Sequence, residues 1–150
     1  MTKLPPIEKI HEALGAIADG RVHMSENQAS VTSSNGAKTY TVRWDGDEYS
    51  SNDNATYWRL YPGYPIIAVL MLQGRLPLNR ESAARFSGIN WTELNEKHKR
   101  DYARAVAGVM EKIKADNGDI QRIAGEIDAT YKALGKLDIT VRRGSLRPPK

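Results

Sequence analysis

The run from Pro65 to Leu72, PIIAVLML, contains no polar side chain and is the most hydrophobic part of the chain. Pro65 suits the first turn of a helix, and Gly74 suits the residue just after its end. We therefore predict a helix over Ile66 to Gln73. Because this helix is apolar on nearly every side, the rest of the protein has to pack around it. The run is far shorter than the ~20 residues that span a bilayer, so we expect no membrane partner.

The other constraints come from length and composition. A chain of 150 residues is long enough to build one hydrophobic core. The absence of cysteine excludes disulfides, thiolate metal sites and a cysteine nucleophile. The first ten residues, MTKLPPIEKI, contain no apolar run of the kind found in signal peptides. We expect a cytoplasmic protein.

The N-terminal third predicts a helix followed by strands. Apolar residues recur at helical spacing between Pro5 and Ala18, which indicates an amphipathic helix. Arg21 to Ser33 is predicted as one polar strand. Thr39 to Trp44 alternates between apolar and polar side chains, and Asp45-Gly46 marks a turn into a short third strand over Glu48 to Ser51. Together these segments predict a small antiparallel β-meander.

The C-terminal half predicts helices. A short one covers Asn79 to Ser87, a long one runs from Asn90 to Lys114, and a last one runs from Asp119 to Leu134. The short connection at Asn117-Gly118 indicates that the last two pack antiparallel. A further strand is predicted over Ile139 to Val141.

The predicted fold class is therefore α+β: an N-terminal helix, a β-meander, a buried central helix, and three further helices. We expect a single domain over residues 1–141, with a helical portion over 79–135. Residues 142–150 are predicted to form a flexible basic tail. Five basic residues and one acidic residue lie between Lys136 and Lys150, so this segment alone carries a charge equal to the net +4 of the chain.

Residues 38–72 carry a resemblance to a known family. Two strands are followed by Tyr49-Ser50-Ser51, a loop rich in Ser and Asx residues, and Gly63-Tyr64-Pro65-Ile66-Ile67-Ala68-Val69-Leu70. This order resembles the SWIM domain, a small ββα zinc module of proteins that bind nucleic acid or other proteins. The resemblance implies a ββα arrangement and a binding function.

The resemblance does not extend to the metal ligands. The four zinc-ligand positions of the SWIM pattern fall on Tyr49, Ser51, Gly63 and Pro65, and none of these can bind zinc as the family does. We therefore expect a derivative without zinc or any other cofactor, in which Tyr and Asx side chains hold the loop in place.

No catalytic motif is present, and the three histidines lie in three different predicted elements. An enzyme working through His98, Asp101 and a loop acid is a third hypothesis, behind two kinds of binding module. The spacing of Ala84, Gly88 and Leu94 fits a helix-turn-helix, but acids near the start of its second helix would repel phosphate, and an ordinary helical corner is favoured.

The favoured hypothesis is a non-enzymatic module that binds nucleic acid, with binding of another protein or of a second copy as the alternative. The candidate residues for nucleic acid are basic: Arg59, Lys97, Arg100, Arg142, Arg143 and Arg147. The candidate residues for a protein partner are the aromatic ones of a single segment: Tyr57, Trp58, Tyr61 and Tyr64. The place of this aromatic segment decides its role: if buried, it belongs to the core, and if exposed in a cleft beside Arg59, it is a binding site.

Overall fold

The computed structural model describes residues 3–150 and contains seven helices and five strands in that range. Residues 1 and 2 of the predicted domain lie outside the described part. The first elements are α1 (Glu8–Ala18), β1 (Val22–Met24), β2 (Gln28–Thr32), β3 (Thr39–Asp45), β4 (Glu48–Ser51), α2 (Asn54–Arg59) and α3 (Tyr64–Leu72). The remaining ones are α4 (Arg80–Ala84), α5 (Trp91–Lys97), α6 (Tyr102–Ala115), α7 (Ile120–Lys136) and β5 (Thr140–Val141). The predicted α+β class is confirmed.

Helix α3 lies at the centre, as its composition predicts. Every residue from Pro65 to Met71 is buried. On one side α3 packs against β1, β3 and β4, and on the other it packs against α1. The outer helices α4, α6 and α7 then cover α1. The order of layers is therefore sheet, two central helices, and outer helices.

The sheet has the strand order β1-β2-β3-β4-β5. Neighbouring strands are antiparallel, except that β5 pairs parallel to β4 through Glu48 with Thr140 and Tyr49 with Val141. In β3, Val42 is buried against the helices whereas Thr39 and Arg43 are exposed, which confirms the predicted alternation.

Three predicted segments were wrong in detail. The single strand over Arg21 to Ser33 is a hairpin of β1 and β2, because the polar residues 25–27 form a turn in which Ser25 N donates to Gln28 O at 2.8 Å. The segment before Pro62 contains helix α2, which the sequence interpretation treated as a loop. The long helix over Asn90 to Lys114 is interrupted between α5 and α6, so four helices rather than three follow α3.

The interruption between α5 and α6 has a local cause. Lys99 and Arg100 adopt left-handed backbone conformations, with φ of 52° and 65°. Asp101 then caps α6 by accepting a hydrogen bond from Arg104 N at 3.2 Å. A side-chain cap competes with continuation of the helix, because the side chain accepts from a backbone N–H that would otherwise bond within the helix. Apolar residues keep helical spacing on both sides of this break, so their spacing alone predicted one continuous helix.

Helix α1 is buried on more sides than its apolar stripe predicts. Lys9, His11 and Glu12 are each less than 9% exposed. His11 packs edge-on against Phe86 with ring centroids 5.7 Å apart, and its Nδ1 has no hydrogen-bond partner among residues 3–150. Burial lowers the pKa of His11 to about 4. None of the helices within residues 3–150 combines the length and apolar composition needed to cross a membrane.

The buried His11 predicts acid sensitivity. In the unfolded chain His11 takes up a proton below about pH 6.5, whereas in the folded protein it resists protonation down to about pH 4. The unfolded state thus binds more protons between these values, and we expect about 3 kcal/mol of stability to be lost as pH falls through this window. Urea unfolding at several pH values measures this loss.

The matched variants are His11→Gln and His23→Gln, since His23 is exposed on β1. We expect His11→Gln to flatten the pH dependence of the unfolding free energy, and His23→Gln to leave it as in the wild type. Equal slopes in the wild type and in His11→Gln would show that His11 is not the titrating group.

Candidate functional site

The loop where the SWIM pattern places its zinc ligands is held by a chain of side-chain hydrogen bonds. Ser51 Oγ donates to Asp53 Oδ1 at 2.5 Å, and Asp53 Oδ2 accepts from Thr56 N at 3.0 Å. Thr56 Oγ1 in turn accepts from Gly63 N at 2.9 Å. All four residues are buried. This chain ties the end of β4 through α2 to the start of α3.

Gly63 leaves no room for a ligand side chain. A Cβ at this position would overlap Asp53 Oδ2 and lie 2.8 Å from Thr56 Oγ1. Of the other two positions, Pro65 is buried in the first turn of α3, and Tyr49 is buried with its hydroxyl donating to Gln73 Oε1 at 2.7 Å. Within residues 3–150, no group of three or more His, Cys, Asp or Glu is arranged to hold a metal ion. Descent from a SWIM domain stays a prediction.

The aromatic segment divides between surface and interior. Trp58 is 63% exposed, and Tyr57 packs edge-on against it with ring centroids 4.8 Å apart. Tyr61 is partly buried. Tyr64 turns inward and meets Tyr40 edge-on at 6.4 Å. Of these four aromatic side chains, only that of Trp58 is exposed.

A basic side chain from the C-terminal segment lies on the half-buried Tyr57 and the exposed Trp58. Arg143 Nε donates to Tyr57 O at 2.8 Å. Its guanidinium lies 5.2 Å from the ring centroid of Tyr57 and 5.8 Å from that of Trp58. Arg59 is exposed beside them, and its carbonyl oxygen accepts from Lys3 Nζ at 2.7 Å. We refer to Tyr57, Trp58, Arg59 and Arg143 as the α2 surface.

The other predicted basic residues are not part of the α2 surface. Arg142 forms an ion pair with Glu48 at 2.8 Å on the sheet edge. Arg147 has an exposed side chain, and its carbonyl oxygen accepts from Asn52 Nδ2 at 3.2 Å. Lys97 and Arg100 belong to the α5–α6 region. The segment 142–150 thus contacts β4, the loop after it, and α2.

A second feature is a polar cleft of about 310 Å³. Its walls are α1, the β2–β3 turn, the start of α2, the start of α3, and α5 with the turn that follows it. We call this space the α1 cleft. Its exposed lining includes Glu96 and Arg100, and Lys38 is half-buried. Its more buried lining residues include Lys9, Glu12, Arg21, Tyr40, Asp53, Tyr64, Asn95 and Tyr102.

An ion pair lies in the wall of the α1 cleft. Lys9 Nζ is 3.2 Å from Glu12 Oε2, and only 10% and 9% of the two side chains are exposed. Asn95 Nδ2 donates to the other oxygen of Glu12 at 3.4 Å, and Lys9 Nζ lies 4.4 Å from the ring centroid of Tyr102. Burial raises the pKa of Glu12 and opposes the charged form of Lys9, but the attraction of Glu12 and Tyr102 leaves the pKa of Lys9 raised.

Several hydrogen-bonding groups at the cleft have no protein partner among residues 3–150. They include the hydroxyls of Tyr40, Tyr64 and Tyr102 and the Nη2 atom of Arg21. Burial raises the pKa of both Tyr40 and Tyr64, so these phenols keep their protons at neutral pH. The cleft is therefore rich in donors.

Sequence reasoning missed the α1 cleft. Lys9 and Glu12 are separated by three residues on a helix, a spacing that is common on exposed helix faces. Only the close packing of α3, α4, α6 and α7 around α1 shows that this pair is buried. The residues facing it lie far apart in sequence, on β3, α5 and α6.

The enzyme hypothesis gains no support from His98. His98 ends α5, and its side chain forms no hydrogen bond or ion pair with a carboxylate within residues 3–150. The carboxylate of Asp101 instead caps α6.

A comparison with known families finds a match. The sequence profile described as Uncharacterised conserved protein UCP014422 matches residues 2–140. The chain belongs to this family. No curated protein and no solved structure matches the chain. All the residues of the α1 cleft lie within the matched range, whereas Arg143 of the α2 surface lies just beyond it.

The hydrogen-bond chain through Asp53 predicts a measurable loss of stability. Asp53→Ala removes the cap of α2 and leaves the buried hydroxyl of Ser51 without an acceptor. We expect the free energy of unfolding to fall by about 3 kcal/mol. The matched change Asp45→Ala, at an exposed turn, should alter it by less than about 0.5 kcal/mol.

Thermal unfolding also tests whether a metal holds this loop. Thermal unfolding with and without a strong chelator should give the same melting temperature, because hydrogen bonds occupy the positions of the ligands. A melting temperature that drops on adding chelator and recovers with zinc would contradict this account.

Proposed function

We propose that the protein binds single-stranded nucleic acid through the α2 surface. The observation that supports this proposal is the exposed indole of Trp58 beside the guanidinium of Arg143. A large aromatic side chain in water gains free energy when another flat ring covers it. Nucleobases offer such rings in every sequence, and stacking on an aromatic side chain contributes about 1–3 kcal/mol per base.

Charge on the α2 surface suits a phosphate backbone. Arg59 and Arg143 are exposed, and neither forms an ion pair within residues 3–150. Lys3 lies next to them, with its Nζ 5.9 Å from the ring centroid of Tyr61. Cations near stacking rings are the usual composition of surfaces that follow single strands.

The shape of the α2 surface favours single strands over duplex. Helix α2 has six residues, too few to project into a major groove and read bases along it. Duplex bases have their faces covered by their neighbours, so an exposed indole can stack only on bases that are unpaired.

A second candidate function is association with a protein or with another copy of the chain. Trp58 and Leu60 are both exposed hydrophobic residues, at 63% and 39%, within three positions of each other. Light scattering over a range of concentrations measures self-association. A mass that rises with concentration and reverts in Trp58→Ala would favour this second function.

Fluorescence anisotropy with labelled single-stranded DNA, single-stranded RNA and duplex DNA tests the first function. We expect single strands to bind more tightly than duplex, with an affinity that falls as salt is raised. Trp58→Ala should weaken binding by about 5-fold to 100-fold, from the loss of one stacked base. Arg143→Ala should weaken binding and reduce the salt slope by about 0.7.

Arg142→Ala is the matched control, since Arg142 is adjacent in sequence but pairs with Glu48. We expect it to change binding much less than Arg143→Ala. Absence of salt-dependent binding at low ionic strength, or equal effects of the two arginine variants, would contradict the proposal.

A further inference from the structure

The α1 cleft is the strongest further candidate for a site. Its volume of about 310 Å³ lies at the lower end of the range for small-molecule pockets. It also contains charged groups that do little for the fold, because a buried ion pair contributes no more stability than apolar packing of the same volume. Such groups, gathered in a cleft, are typical of binding sites.

The carboxylates in the interior of the α1 cleft are already engaged. One carboxylate oxygen of Glu12 is paired with Lys9, and the other accepts from Asn95. Both oxygens of Asp53 accept hydrogen bonds within the loop. A molecule that enters the cleft therefore finds few free acceptors for its own donors.

The donors, in contrast, are free. The hydroxyls of Tyr40, Tyr64 and Tyr102 have no protein acceptor within residues 3–150, and Lys9 has N–H groups beyond the one directed at Glu12. A ligand that matches this wall brings acceptors, such as carboxylate, phosphate, hydroxyl or carbonyl oxygens.

Charge at the mouth of the cleft points to an anion. Arg100 is exposed there and Lys38 is half-buried, and neither forms an ion pair in the described part of the chain. Glu96 is also exposed at the mouth. Over the whole lining, the four basic residues exceed the three acidic ones, Glu12, Asp53 and Glu96, by one.

We propose that the α1 cleft binds a small organic anion. The acidic group of this ligand lies against Lys38 and Arg100. The remaining oxygens of the ligand accept hydrogen bonds from Lys9 and from the tyrosine hydroxyls. This site is separate from the α2 surface, and the two proposals can fail independently.

Binding is measured by amide chemical shifts on the full chain with three probes: inorganic phosphate, citrate and adenosine monophosphate. We expect saturable shifts in residues that line the cleft with at least one probe. Binding of phosphate and adenosine monophosphate without citrate assigns a phosphate ligand, and binding of citrate alone assigns a carboxylate ligand. Binding of all three assigns a site that accepts either acid.

Variants connect the binding to the named residues. Lys38→Gln and Arg100→Asn should each weaken the best probe by about tenfold, and Tyr40→Phe should weaken it by about threefold or more. Asparagine is chosen because Arg100 has a φ of 65°, which Asn tolerates. The matched control Lys97→Gln, on α5 but outside the cleft, should leave affinity unchanged.

Three results would overturn the proposal. The first is that no probe shifts the cleft residues at millimolar concentration. The second is that Lys38→Gln and Arg100→Asn bind as well as the wild type. The third is that Trp58→Ala abolishes the binding of adenosine monophosphate, which would place that probe on the α2 surface. We expect Tyr40→Phe to bind oligonucleotides as the wild type does. That result would show that the α1 cleft and the α2 surface are separate sites.

Discussion

The structure depends on the contact between two helices that are both surrounded by protein. Helix α3 is apolar on all sides and separates the sheet from α1, and α1 is covered in turn by α4, α6 and α7. Burial of α3 supplies a large part of the hydrophobic driving force, because seven consecutive residues leave water. Placing α1 in the same interior brings Lys9, His11 and Glu12 with it.

Helix α2 connects the structural and functional features. Its N-terminal cap, Asp53, belongs to the hydrogen-bond chain that joins β4 to α3 and also lines the α1 cleft. Its C-terminal half carries Tyr57 and Trp58 on the outside. A helix of six residues has little stability of its own, so its orientation depends on this cap and on the chain through Thr56 to Gly63. The same hydrogen bonds therefore position both candidate sites.

The C-terminal segment illustrates how tertiary contacts change the meaning of a charge run. Arg142, Arg143 and Arg147 are close in sequence, but they point to different places. Arg142 pairs with Glu48, Arg143 lies on Tyr57 and Trp58, and the backbone of Arg147 is held by Asn52. Parallel pairing of β5 with β4 directs the chain toward α2, and this pairing separates the three side chains. Their total charge could be read from the sequence, whereas their separate partners could not.

Local signals in the sequence were enough to determine much of the fold. The composition of Pro65 to Leu72 predicted the central helix, alternation predicted β3, and the side-chain caps Asn79, Asn90 and Asp119 predicted where three helices begin. These features depend on neighbouring residues, so a single sequence contains them. The break at Lys99 and Arg100 was missed because apolar spacing continues across it. The hairpin within Arg21 to Ser33 was missed because its turn, residues 25–27, contains no Gly or Pro.

The candidate sites were decided by the tertiary structure. The aromatic and basic residues of the α2 surface were named from the sequence, but only their packing separates exposed Trp58 from inward-facing Tyr64. The α1 cleft was not predicted at all. Its residues come from six separated segments, and the burial of Lys9 and Glu12 results from helices packed around α1. The sequence by itself determined which groups are present and how each element begins. Tertiary packing decided which groups lose water and face one another, because burial is a property of the whole fold and not of local spacing.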